Sequence, residues 1–447
     1  MNNEKLESKG LESVTPEQLR IGLFIFIDLP WFLHPFTLNS FKIKSEEQLR
    51  ELRALEQTHF RYDPNRSDAL PIAGRNKPGG EKHTETGAAV LESRSQASVL
   101  TESAESASVM AEKLARVRQV AEFQQRVDHV EKAFVKAVAV MRNINRNLLN
   151  RPQETLEDMN GLVGEMVSAF LTHPEVALHV MSEKCGGEEV YYHSLNTSIL
   201  SMMLAKALDL GAEQGQMLGV GALLHDIGLM EVPDRVLKKR PEEYTRPERE
   251  LRAMHVEYGV KMGKQIGLSN EVLAIIAQHH EMADGSGFPQ GVKLEKMVPL
   301  ARIVSMVNFY DNLCNPVDMN QAITPHEALS FMFAQRRTKF DPQLLQLMIR
   351  CLGVYPPGSV VKLSNEVVAL VISVNPQKPL RPWVLIYDPS VPKEEAIMLD
   401  LEKEIDIQIG KAIAPQLLPA PVSAYLNPRK RVTYFFDGKS APTGSHS

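Results

Sequence analysis

A mainly α chain is predicted, with a helical bundle flanked by a small N-terminal α+β module and a small C-terminal β module. Three observations predict it. Residues 154–352 are rich in Leu, Met and Ala, with Gly and Pro mostly at segment boundaries. Ahead of them, apolar residues recur at steps of three or four. After Tyr355-Pro356-Pro357-Gly358 the composition turns to β-branched runs. The 447 residues, 43% apolar and 23% charged, suffice for two or three domains with cores of their own.

Taken in order, residues 1–66 predict the α+β module. Gly22 to Ile27 is a strand run, Asp28-Leu29-Pro30 a turn, and Ser45 to Leu55 a short amphipathic helix opened by Ser45. Residues 67–107 turn to Gly, Ser, Thr, Pro, Lys and Glu, a composition too polar to bury a core, and predict a disordered linker. Residues 108–150 predict a connecting helix. Its stripe runs through Leu114, Val117, Val120, Phe123, Val127, Val130, Phe134, Val138 and Met141. That stripe suits packing onto the next domain or a dimer helix, hence a possible homodimer. Residues 151–352 form the helical domain. In 353–447, the runs Val360 to Leu363, Val367 to Val374 and Trp383 to Tyr387 are strands of a small β module, followed by a loosely ordered tail.

A net charge of -5 argues against a general nucleic-acid binder. Cys185, Cys314 and Cys351 lie far apart with no CxxC pair, which argues against a disulfide scaffold and a zinc ribbon. Ile21 to Leu33, the most apolar early stretch, is broken by Asp28 and Pro30. It falls below the roughly 18 residues a span needs, and a cytoplasmic protein without a membrane segment is expected.

Of thirteen histidines, five stand out. In Ala222-Leu223-Leu224-His225-Asp226-Ile227-Gly228 an apolar helix ends in adjacent His and Asp, followed by Gly. Imidazole beside carboxylate suits a divalent transition metal. Glu189 and His193 stand at i, i+4 and share a helical face. His255 lies in a further helical segment, and His279-His280-Glu281 precedes the turn Asp284-Gly285-Ser286-Gly287-Phe288-Pro289. Paired buried imidazoles are costly unless something engages them, and a metal removes that cost.

In this order, His193, His225-Asp226, His255, His279-His280 and the Gly-rich turn resemble the HD-GYP domain, a branch of the HD metal-dependent phosphohydrolases. The resemblance covers about residues 185–345. The stretch from Leu19-Arg20-Ile21-Gly22 to Asn39-Ser40-Phe41 is similar to a domain of unknown function often found ahead of it. The resemblance implies an all-α bundle holding two, sometimes three, iron or manganese ions. It implies hydrolysis of the bacterial second messenger cyclic di-GMP to pGpG, in some members on to GMP, by water that the metals activate. Carried over by position, His193, His225, Asp226, His255, His279 and His280 are metal ligands, with Asp226 catalytic and Glu189 where some members bind a third ion. Gly285, Gly287 and Pro289 border the substrate, and partners with diguanylate cyclase domains are implied.

Four departures stand out. Leu229 replaces a usual Lys, Asn308 the usual Asp ligand, and Phe288 the usual Tyr. The basic stretch that meets substrate phosphates aligns with Pro316-Val317-Asp318-Met319-Asn320, which has no cation. Asn308 ligates without charge, and Asp311 is a possible substitute. Lys238, Lys239 and Arg240 either supply the missing charge or form a solvated loop. A cyclic di-GMP phosphodiesterase, a weak or inactive signalling member acting through partner contacts, and a hydrolase of another nucleotide therefore all stay open.

Overall fold

A computed structural model describes residues 11–29, 34, 36, 39–55, 57–72, 118, 125, 132, 135–144, 146–172, 177–180, 189–374, 378–389, 391–393, 396–426 and 434–437. The chain divides into two units, 1–121 with 365–367 and 387–398, and the remainder. In the first unit, strands β1 (Glu12–Val14), β2 (Phe24–Phe26), β3 (Ser40–Lys42) and β4 (Phe60–Tyr62) form a sheet in the order β1-β4-β2-β3. All three pairings are antiparallel. Helix α1 (Glu46–Ala54) starts where the Ser45 side chain accepts from the Gln48 amide at 3.2 Å. Its Leu49 and Leu52 are buried with Leu23, Ile25 and Phe60. Residues 67–72, expected to open the linker, bond back to this module. The Asp68 amide donates to Gly22 at 2.8 Å and that of Ile72 to Gln18 at 3.0 Å. The rest of the expected linker, 73–107, lies outside the described residues, as does most of the 108–134 stretch.

The second unit holds the helical domain: α2 (Pro152–Thr172), α3 (Glu189–Ala207), α4 (Ala212–Leu224), α5 (Asp234–Leu237), α6 (Arg246–Ala253), α7 (His255–Gln265), α8 (Asn270–Gln278), α9 (Pro299–Cys314), α10 (Pro325–Gln335) and α11 (Pro342–Leu352). Side chains set several of the helix starts. Thr245 with Glu248 and Thr324 with Glu327 form capping boxes, while Ser269 and Asp341 cap α8 and α11. Helix α3 is apolar on nearly every face and runs through the centre, against α2, α4, α9 and α11. Its Leu195, Ile199, Leu200 and Leu204 are fully buried, each contributing about 1.5–3 kcal/mol by leaving water. Val138 and Met141, the last residues of the apolar stripe, are buried in the same core. Their share of the stripe therefore packs onto this domain.

The strands expected after residue 355 are present as β6 (Val360–Leu363), β7 (Val368–Ser373) and β8 (Trp383–Ile386). Two more, β9 (Met398–Asp400) and β10 (Ile409–Ile413), complete a sheet ordered β10-β6-β7-β8-β9, and a short helix α12 (Ala420–Leu426) follows. Two elements depart from expectation. Within the helical stretch, β5 (Ala177–Val180) is extended and pairs antiparallel with β11 (Tyr434–Asp437), in the tail expected to be loose. The Tyr434-Phe435-Phe436 run favours a strand once a partner edge is available. Among the described residues no helix is long and apolar enough to cross a membrane.

Candidate metal centre

Helix ends build most of this site. His225 is the C-cap of α4, His279 the C-cap of α8, and His255 directly follows the Met254 C-cap of α6. The last turn of a helix leaves carbonyls without an intrahelical donor. Each ring uses one of them: His225 Nδ1 lies 2.7 Å from Ala222 O, His255 Nδ1 2.6 Å from Arg252 O, and His279 Nδ1 2.6 Å from Ile276 O. A carbonyl only accepts, so Nδ1 carries the proton and the Nε2 lone pair is left to face inward. The negative ends of the same helices favour a cation there.

Those Nε2 atoms converge on Asp226. Its Oδ1 lies 3.2 Å from His255 Nε2 and 3.4 Å from His279 Nε2. Its Oδ2 lies 3.5 Å from His225 Nε2 and 3.9 Å from His193 Nε2. Two overlapping donor sets result, Asp226-His255-His279-His280 and His193-His225-Asp226, each with its ligand atoms within 4.8 Å of one another. Nitrogen and carboxylate donors of this kind suit a divalent metal ion. Gly228 permits the convergence. A Cβ there would meet His255 O at 1.9 Å and Gly259 N at 2.5 Å, so the turn after Asp226 lies backbone to backbone on the start of α7.

Buried charge is matched inside the cluster. Burial pushes His225 down to about 3, helped by neighbouring rings and opposed by Asp226. It also lowers His279, and holds His280 well below the usual histidine value. Burial alone would raise Asp226, but the surrounding imidazoles of His225, His255 and His279 hold it well below the usual carboxylate range. His193 moves the other way: burial would lower it, yet the hydrogen bond and charge of Asp311 lift it above the usual value.

A pH dependence follows for the metal-free protein. His225 stays neutral when folded down to about pH 3 but takes a proton near 6.5 when unfolded. The unfolded state then binds more protons between those values, so stability falls as pH falls through that window. From pH 7.5 to 5.5 His225 alone contributes a loss of about 1.4 kcal/mol. His279 and His280 add to it, and His193 opposes it. Chelator-treated protein should melt several degrees lower at pH 5.5 than at pH 7.5; an equal or higher melting temperature at pH 5.5 would contradict neutral buried rings.

The remaining expected residues are placed as follows. Asn308 is 3% exposed, lies beside His193, and accepts from Asn312 Nδ2 at 2.6 Å. Glu189 opens α3, and its side chain lies outside what is described. Asp311, considered as a substitute ligand, stands behind His193 with Oδ2 2.6 Å from Nδ1, on the far side of the ring from the cluster. Leu229 packs with Val232, Val236 and Tyr244 in a small apolar cluster. Lys238 pairs with Asp234, Lys239 with Glu248 and Arg240 with Glu243, so their charge is already offset. Gly285 has a left-handed φ of 80°. Gly287 sits where a Cβ would be 2.5 Å from three backbone atoms of residues 280–282. Phe288 stacks on His280 with ring centroids 4.4 Å apart, a contact needing no hydroxyl. Pro289 joins Val256, Lys261 and Ala277 in lining an open cleft of about 600 Å³.

Sequence reasoning missed two supports. Glu281 Oε1 accepts from the amides of Gln290 and Gly291 at 2.7 and 3.2 Å, and Oε2 from Val292 at 3.0 Å. Ser305 Oγ donates to Glu281 O at 2.6 Å, tying that turn to α9. An acidic residue directly between two histidines and a glycine-rich turn was the available signal.

Comparison with known proteins agrees with this geometry. A model of the HD domain matches residues 166–344, a domain of unknown function (DUF3391) residues 11–159, and a KOW domain associated with HD domain residues 360–419. The chain is similar to a cyclic di-GMP phosphodiesterase of Pseudomonas aeruginosa, 27% identical over 382 residues, 84% of this chain and 85% of that one. It is also similar to a cyclic di-GMP phosphodiesterase response regulator of Xanthomonas campestris, 28% identical over 53% of this chain and 56% of the relative. A 3'3'-cGAMP-specific phosphodiesterase of Vibrio cholerae is 27% identical over 35% of this chain and 30% of its own length. All six clustered residues fall within the HD match, and the chain carries an HD domain preceded by this amino-terminal domain of unknown function.

Proposed function

We propose that this chain is a metal-dependent phosphodiesterase that hydrolyses cyclic di-GMP to pGpG in the bacterial cytoplasm. One observation carries the reading: a single carboxylate, Asp226, lies within 3.2–3.9 Å of four inward-facing Nε2 atoms. Asp226, His255, His279 and His280 would hold one ion. His193, His225 and Asp226 would hold a second, with Asn308 beside them and Glu189 available for a third. Iron or manganese bound there supplies charge against the phosphodiester and acidifies a water. Three of the rings are poised neutral, so binding displaces no proton from them near pH 7. Gly285, Gly287 and Pro289 would border the dinucleotide, and Lys238 and Lys239 would meet its phosphates only by leaving their acidic partners. The reading extends to partners with diguanylate cyclase domains and to a homodimer through residues 108–150.

The test is turnover of cyclic di-GMP by metal-free protein reloaded with Mn²⁺ or, without oxygen, Fe²⁺, with pGpG as the measured product. A second reading has specific support: Leu229 turned into an apolar cluster and a neutral Asn308 favour a member that binds and signals without turnover. Metal-loaded protein that binds cyclic di-GMP but releases no pGpG would establish that reading instead.

Asn308→Asp provides a further check. A carboxylate there adds charge beside His193, so metal affinity should rise about tenfold, roughly 1.4 kcal/mol. Metal content after dialysis reads this directly; unchanged content would remove residue 308 from the site.

A further inference from the structure

Three of the rings take their Nδ1 partner from a helix end, but His193 has no such option. It lies within the first turns of α3, where each carbonyl is the acceptor of the residue four positions on. A side chain from another helix fills the role. Asp311 on α9, fully buried, presents Oδ2 to His193 Nδ1 at 2.6 Å. Its other oxygen accepts from Asn196 Nδ2 at 2.8 Å and from Asn315 Nδ2 at 2.9 Å. Asn196 is three residues beyond His193 on α3, and Asn315 directly follows α9. Donors at both oxygens therefore fix the carboxylate plane.

We propose that Asp311 is a positioning residue that makes His193 competent to hold the second ion. It keeps the proton on Nδ1 and aims the bare Nε2 at the gap shared with His225 Nε2, 3.2 Å away, and Asp226. It also lends negative charge through the ring, at the end of the site where Asn308 is neutral. This role rests on the metal-centre reading above. It concerns the His193-His225-Asp226 set alone, because Asp226-His255-His279-His280 makes no use of His193.

Asp311→Asn separates the possibilities. Asn196 and Asn315 still donate to one side of residue 311, so the new amide keeps its oxygen there and turns its NH₂ toward His193. Nδ1 must then accept, and the ring proton moves to Nε2, pointing into the site. The same wrong-tautomer logic applies to the Asp of a catalytic triad. The experiment is a Mn²⁺ titration of metal-free full chain against a competing chelator, with melting temperatures in parallel. Wild type should bind two ions. The variant should keep the tighter one and its melting temperature while losing roughly 10- to 100-fold in affinity for the other. Wild-type affinity for both ions would overturn the role. So would loss of both ions with a lowered melting temperature, which marks Asp311 as scaffold. A wild type that binds no Mn²⁺ would overturn the metal-centre reading itself, and this inference with it. Should the variant not fold, long-range ¹H–¹⁵N spectra of metal-free wild type decide: a neutral His193 ring protonated on Nδ1 supports the role, and one protonated on Nε2 overturns it.

Discussion

Asp226→Asn should strip the protein of metal and lower cyclic di-GMP hydrolysis by at least about 10³-fold, roughly 4 kcal/mol of transition-state stabilisation. The size of the effect follows from its place: Asp226 is the one residue common to both donor sets. Its two oxygens divide the work, Oδ1 toward His255 and His279, Oδ2 toward His193 and His225. An amide keeps the shape but brings no charge, and its NH₂ points a proton where a ligand lone pair stood. Metal content after desalting and pGpG production are the two measurements. A variant that retains its metal and a tenth of wild-type turnover would show that the histidines hold the ions without the carboxylate.

Gly228→Ala should be nearly as damaging, although residue 228 has no side chain to contribute. A methyl group there would overlap His255 O at 1.9 Å and Gly259 N at 2.5 Å, both backbone atoms that have no rotamer to relax into. Overpacking against such atoms costs about 3 kcal/mol or more. For a domain of this size that corresponds to a fall in melting temperature of roughly 6–12 °C. Relief by separating the turn from α7 would draw Asp226 away from His255, so metal affinity should fall together with stability. Differential scanning fluorimetry and a Mn²⁺ titration read the two effects. A variant within 2 °C of wild type, about 1 kcal/mol, would mean that this turn moves freely.

Much of this site was legible before any coordinates. The resemblance, carried by the order of these motifs, implied that His193, His225, Asp226, His255, His279 and His280 belong together, and three of these rings sit at helix ends, which local sequence determines. The strand runs after residue 355 were visible for a similar reason, since β-branched clustering is a local property. What stayed hidden depends on how distant elements meet. Asp311 and His193 are 118 positions apart, and only the packing of α9 on α3 makes the first a hydrogen-bond partner of the second rather than a substitute ligand. Leu229 follows Gly228 directly, yet the turn sends it into the Val232-Val236-Tyr244 cluster. For Lys239 the sequence left open available charge or a solvated loop, because its partner Glu248 comes from the capping box of the next helix. Four residues, Ala177–Val180, are too few to announce a strand inside a helical run.

That short strand has a consequence for how the molecule is made. β5 pairs with Tyr434–Asp437, some 250 positions later, and the closing strand lies beside α3, the helix that carries His193. Synthesis proceeds from the amino terminus, so a nascent chain that has already produced every histidine of the cluster still has an unpaired β5 edge. The helical core can collapse early from its local contacts, but this edge must wait for residues near the carboxyl end. Ribosome-bound chains that stop short of residue 434 should therefore remain more open to protease around 177–180 than released protein, and the helix bearing His193 should be among the last parts of the centre to become rigid.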